Sequence, residues 1–128
     1  MHNEDLKMRT KGFALAIIKF CEALPTDSTA KVLAHQLLRS GCSVGANYRA
    51  ACRGKSKADF ISKMAIVLEE VDESAYWLEL LSDAGKIQPM TAKALLREAN
   101  ELAAITVASI NTVKRNMAQA QGTLQSTV

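Results

Sequence analysis

Proline is nearly absent from this 128-residue chain, which has only Pro25 and Pro89. Long stretches are therefore free of the residue that most strongly breaks a helix. Aromatic residues are also few, at 5% of the chain, which leaves little surface for stacking nucleic-acid bases. Histidine occurs twice, as His2 and His35, and cysteine three times, as Cys21, Cys42 and Cys52. No Cys-x-x-Cys pair is present, and a structural zinc site needs clustered Cys and His ligands. The odd count argues against a disulfide framework, so the cysteines read as small, soft core residues. The longest apolar run, Phe13 to Ile18, is too short to cross a bilayer. Residues Met1 to Lys11 are charged and lack the apolar core of a signal peptide, so a cytoplasmic protein with no membrane role is expected.

Apolar residues make up 48% of the sequence, enough for one ordinary globular domain. Net charge is only +3, but its distribution is uneven. Between Ser28 and Ala58 there is no acid and there are six bases: Lys31, Arg39, Arg49, Arg53, Lys55 and Lys57. Between Asp59 and Asp83 there are seven acids and one base, Lys63. One basic helix is thus followed by one acidic helix.

The punctuation predicts four helices. The first runs from about Asn3 to Leu24 and stops at Pro25. Asp27 or Ser28 caps the second, which ends at Gly54. Ser56 with Asp59 resembles a capping box and opens the third, which ends near Gly85. Pro89 and Thr91 precede the fourth, expected to reach about Ala120. Apolar residues recur at spacings of three and four: Leu6, Phe13, Ile17, Phe20 and Leu24, then Phe60, Met64, Val67, Val71, Ala75 and Leu78. The fourth helix repeats the pattern at Leu95, Ala99, Leu102, Thr106, Ser109 and Val113. Short connections make neighbours antiparallel. The expectation is an all-α, up-down-up-down antiparallel four-helix bundle over residues 1–120, with a frayed tail over 121–128. Gly41 and Gly45 lie inside the second helix, where each costs roughly 1 kcal/mol against alanine. They mark either close approach of another helix or a kink. Asn47 lies near the core edge and needs a hydrogen-bond partner if buried.

Three patterns imitate chemistry. Gly41-Cys42-Ser43-Val44-Gly45 matches the serine-hydrolase elbow, but no strand precedes it and both histidines come before Ser43. Gly54-Lys55-Ser56 looks like the end of a P-loop, but Arg49 stands where that loop needs glycine. Glu69, Glu70, Asp72 and Glu73 lack the Glu-x-x-His partners of a di-iron bundle. No catalytic residue, metal ligand or cofactor is assigned.

Ile66, Trp77 and Leu80, with Tyr76, Glu70 and Glu73 beside them, map to the side of the third helix away from its core stripe. Leu15 and Ile18 do the same on the first. Such a patch is expected at a subunit interface. On the second helix Arg39, Arg49 and Arg53 oppose Leu33, Leu37, Val44 and Ala51, with small Cys42 and Ala46 between them. This basic stripe has three readings: a solvated face, pairing with Glu70 and Glu73 of a neighbouring subunit, or phosphate binding extended by Lys55 and Lys57.

Several segments carry a resemblance: Gln36-Leu37-Leu38-Arg39-Ser40, Ser43 to Ala50, Ser56 to Phe60, and Glu69-Glu70-Val71-Asp72-Glu73-Ser74-Ala75-Tyr76-Trp77-Leu78-Glu79-Leu80. Together they resemble the bacterial four-helix-bundle proteins encoded in intervening sequences of large-subunit ribosomal RNA genes, also called S23 ribosomal proteins. The resemblance spans about Lys7 to Lys114. It implies small non-enzymatic bundles that assemble as homopentamers. A related branch, the accessory proteins of diversity-generating retroelements, implies binding of nucleic acid and of a reverse transcriptase. The resulting expectation is a homo-oligomer binding structured RNA or DNA through Arg49, Arg53, Lys55 and Lys57. Its interface is expected to use Arg39, Ile66, Glu70, Glu73, Trp77 and Leu80. The alternative is a scaffold whose basic and acidic helices pair between subunits, without nucleic acid.

Overall fold

The computed structural model describes residues 3–126, the side chains of 123–126 excepted. Four helices account for nearly all of it: α1 (Asn3–Glu22), α2 (Ser28–Cys52), α3 (Lys57–Asp83) and α4 (Pro89–Ser126). Each boundary has a local cause. Asp27 caps α2 by accepting from the Ala30 amide at 3.1 Å, freeing Ser28 to be its first residue. Ser56 caps α3 by accepting from the Asp59 amide at 3.0 Å. Asp59 returns the bond one residue upstream of the cap, accepting from the Lys55 amide at 3.1 Å. Gly85, at φ +72°, ends α3 in a Schellman turn. The Lys86 amide donates to the Leu81 carbonyl and the Gly85 amide to that of Ser82. Pro89 does not precede α4 but is its first residue, where a missing amide proton is harmless.

Helices adjacent in sequence pack together, and α1 also touches α4, which closes the four-helix bundle. The core holds Leu6, Phe13 and Ile17 from α1, and Leu37, Val44, Tyr48 and Ala51 from α2. Met64, Val67, Val71, Leu78 and Leu81 come from α3, and Ala92, Ala99, Leu102 and Ile110 from α4. Two expected stripe positions are shifted: Ile110 is buried and Ser109 half-buried, and Ser74 is buried deeper than Ala75. Ser74 is tolerated because its hydroxyl donates to Ser40 Oγ of α2 at 2.9 Å, with the Glu70 carbonyl a second acceptor at 2.8 Å. Half-buried Asn47 finds its partner within α2, donating from Nδ2 to the Ser43 carbonyl at 2.8 Å.

Gly41 and Gly45 serve close approach, because α2 runs unbroken through both. A Cβ on Gly41 would stand 3.0 Å from Cγ1 and Cγ2 of Ile17, and one on Gly45 3.2 Å from Thr10 Oγ1. The α1–α4 seam is the thinnest contact and is tied by charge. Arg9 donates from Nε and Nη2 to Glu98 at 2.8 and 2.7 Å, and also reaches Glu101. The fourth helix continues to Ser126, past the expected end near Ala120, so part of the expected tail is helical. The last two residues of that tail lie outside the described residues.

Candidate nucleic-acid interface

The basic stripe of α2 divides in two. Arg39 is taken up within its own chain: Nη1 lies 3.4 Å from Glu70 Oε2, and Nη2 donates to Glu73. That hydrogen bond holds the Glu73 carboxyl below its usual range, aided by a bond from Trp77 Nε1 at 3.3 Å. Within the chain, these carboxylates are therefore paired with Arg39 of α2. Antiparallel packing of α2 on α3 sets Arg39 beside them, and both partners sit at the edge of that contact.

Trp77 lies on the same helix as these carboxylates, α3. It is half-buried and packs against the core, with its ring edge-to-face on Tyr76 at a centroid distance of 5.1 Å. Leu80 is half-buried too. Ile66 and Tyr76 remain exposed, at 39% and 53%. Leu15 and Ile18 are exposed on α1, as the periodicity predicts.

Arg49 and Arg53 lie further along α2 and meet α1 instead. Together with Lys7 and Lys11 they line a groove of about 490 Å³ between the two helices. Its floor is made of small residues: Thr10 and Ala14 from α1, and Cys42, Gly45 and Ala46 from α2. No acid lines it. Lys7 pairs with Glu4 at 3.3 Å, outside the groove lining. Among the described residues, Lys11, Arg49 and Arg53 have no ion pair. Lys7 and Lys11 were not singled out in the sequence. Their only signal was the i, i+4 spacing, which cannot reveal the helix they face.

Lys55 is exposed in the α2–α3 turn and Lys57 is exposed as the first residue of α3 rather than in the turn, beside Phe60 and Val113. The one nearby acid, Asp59, is bound by Lys63 Nζ at 2.8 Å and by the Lys55 amide. These bonds hold the Asp59 carboxyl below its usual range, the Lys63 contact most strongly. Both lysines thus keep their charge free for an external anion.

The hydrolase-like pattern is inert by geometry. Ser43 lies mid-helix, and its hydroxyl donates to the Arg39 carbonyl at 2.6 Å. His35 stands eight residues upstream on the same helix, about 12 Å along its axis. His2 lies outside the described residues. A fluorophosphonate probe should leave Ser43 unlabelled by intact mass spectrometry, and stoichiometric modification would contradict this geometry. Among the described residues no group of three His, Cys, Asp or Glu side chains is placed to hold a metal. The cysteines are free thiols, and burial pushes that of Cys21 up to about 11. No helix in the described residues is long and apolar enough to cross a membrane.

Comparison with known proteins agrees with this architecture. The family model described as 23S rRNA-intervening sequence protein matches residues 4–108. A solved structure of a protein of unknown function from the S23 ribosomal protein family of Bacteroides thetaiotaomicron is 33% identical. Its similarity covers 87% of this chain and 99% of that one, with a TM-score of 0.80. No curated relative matches the chain.

Proposed function

The chain belongs to the 23S rRNA-intervening sequence protein family, and on that premise we propose a non-enzymatic homo-oligomer that binds the sugar-phosphate backbone of structured RNA or DNA. The observation that carries this reading is the division of the bases. Arg39 has two carboxylates of its own, whereas Arg49, Arg53, Lys55 and Lys57 gather at one end of α2 without any. Unpaired bases of one sign raise the local potential and attract a polyanion. Scarce aromatics favour backbone contact over base readout. The scaffold alternative is weakened, because Glu70 and Glu73 already have a partner within the chain.

The test pairs solution mass with affinity for ribosomal RNA fragments across a salt series. Replacing Lys55 and Lys57 with alanine should weaken binding to all sequences alike. The slope of log affinity against log salt should become shallower by about two. Assembly should be unchanged, because both lysines are exposed, Lys55 in the turn and Lys57 at the start of α3. Unaltered RNA binding in this variant, with loss of assembly on replacing Arg49 and Arg53, would favour the scaffold.

A further inference from the structure

We propose that the groove between α1 and α2 is a binding site for a chain of linked phosphate groups, gripped by Lys7 and Lys11 from one wall and Arg49 and Arg53 from the other. The assignment of a nucleic-acid strand as its occupant rests on the reading above. The site itself rests on the groove.

Three features define the ligand. The first is charge: four bases converge on about 490 Å³ with no acid in the lining. Only Lys7 has a carboxylate neighbour, and that pair is exposed and weak. Like charges held this close repel one another, and an anion between them relieves the repulsion. The second feature is register. Lys7 with Lys11, and Arg49 with Arg53, are each four residues apart, about 6 Å along a helix axis. Lys7 and Lys11 on one wall and Arg49 and Arg53 on the other thus give each wall a row of two cations along the groove. A row suits several linked anions better than a single ion.

The third feature is the floor. Thr10, Ala14, Cys42, Gly45 and Ala46 are small enough to let a backbone sit low between the cationic walls. The Thr10 hydroxyl is already turned to the carbonyls of Leu6 and Lys7, at 2.9 and 3.1 Å. No aromatic ring lines the groove, so nothing there stacks a base. The axes of helices in contact lie about 8–10 Å apart, less than the width of a duplex, whose major groove alone spans roughly 12 Å. A whole duplex cannot enter. The ligand is a single strand, the backbone edge of a structured one, or a free oligophosphate.

Cys42 provides a direct reading of occupancy, because it is the exposed cysteine and lies in the groove lining. The experiment follows alkylation of Cys42 in the full chain by peptide mapping, with and without inorganic tripolyphosphate or a single-stranded RNA oligomer. Both probes should slow alkylation. Replacing Lys7 and Lys11 with alanine should weaken tripolyphosphate binding roughly tenfold or more and abolish protection. Arginine at both positions should restore it, which separates charge from folding. Circular dichroism should show the helix content of every variant unchanged.

The proposal is overturned if neither probe changes Cys42 alkylation, or if the Lys7/Lys11 alanine variant binds tripolyphosphate as the parent does. RNA binding that depends on Lys55 and Lys57, without protection of Cys42, would remove the groove and leave the nucleic-acid reading standing. Protection by tripolyphosphate with no binding of any RNA or DNA would leave the groove as an oligophosphate site and remove that reading.

Discussion

Replacing Gly41 with leucine should destabilise the protein by about 3 kcal/mol, read as a lower urea midpoint. Gly41 is buried where α2 crosses α1, and even its Cβ would stand 3.0 Å from two branches of Ile17. Ile17 is fully buried and β-branched, so few rotamers are open to it. A leucine adds three more carbons to a space already tight for the first. The helices must separate, which thins the α1–α2 contact and distorts the groove above it. Better helix propensity offsets only about 1 kcal/mol of this. Alanine at the same position should be near neutral, since the propensity gain and the tight contacts of a single Cβ with Ile17 are of similar size. A leucine variant as stable as the parent would mean that the helices do not meet at Gly41.

The fold was legible because its boundaries are local. Asp27, Gly54, Ser56 and Gly85 each act within a few residues, and the structure uses all four at helix ends, whereas α1 stops at Glu22, short of the expected end at Leu24 before Pro25. Periodicity then located most of the core. It failed where packing is reciprocal: Ser74 is buried because Ser40 of another helix supplies a bond, and no single-helix pattern contains that information. The end of α4 was misplaced for a different reason. Residues beyond Ala120 contain no proline, and Gly122 alone does not stop a helix already propagated from the bundle.

The candidate site was legible only by half. Segregation of charge along the chain placed Arg49, Arg53, Lys55 and Lys57 on a basic surface. Which acid meets which base depends on interhelical register, and that separated Arg39 from the other arginines. Register also brought Lys7 and Lys11 opposite Arg49 and Arg53. An i, i+4 pair of lysines on an amphipathic helix is ordinarily just a solvated face. It becomes part of a site only when the neighbouring helix presents bases of its own across small residues.

Replacing Trp77 with alanine should destabilise each protein molecule by about 2–3 kcal/mol, below the range for a fully buried tryptophan. The indole packs against the core, contacts Tyr76 edge-to-face and donates to Glu73 at 3.3 Å. Its removal therefore opens a gap at the core edge and loosens the carboxylate that Arg39 holds. Equilibrium denaturation at several protein concentrations decides between this role and the expected interface. A contact within one chain gives a loss that does not change with concentration, whereas a contact between subunits gives a loss that grows with concentration and vanishes on dilution. Ile66→Ala supplies the contrast, since that side chain is 39% exposed and its removal should change intrinsic stability little. If Trp77→Ala leaves stability intact and lowers the solution mass, Trp77 acts at a subunit contact and its half-burial is incidental. If stability falls equally at every concentration while mass holds, the indole belongs to the bundle, and any self-association uses other exposed apolar side chains, Ile66, Tyr76, Leu15 and Ile18 among them.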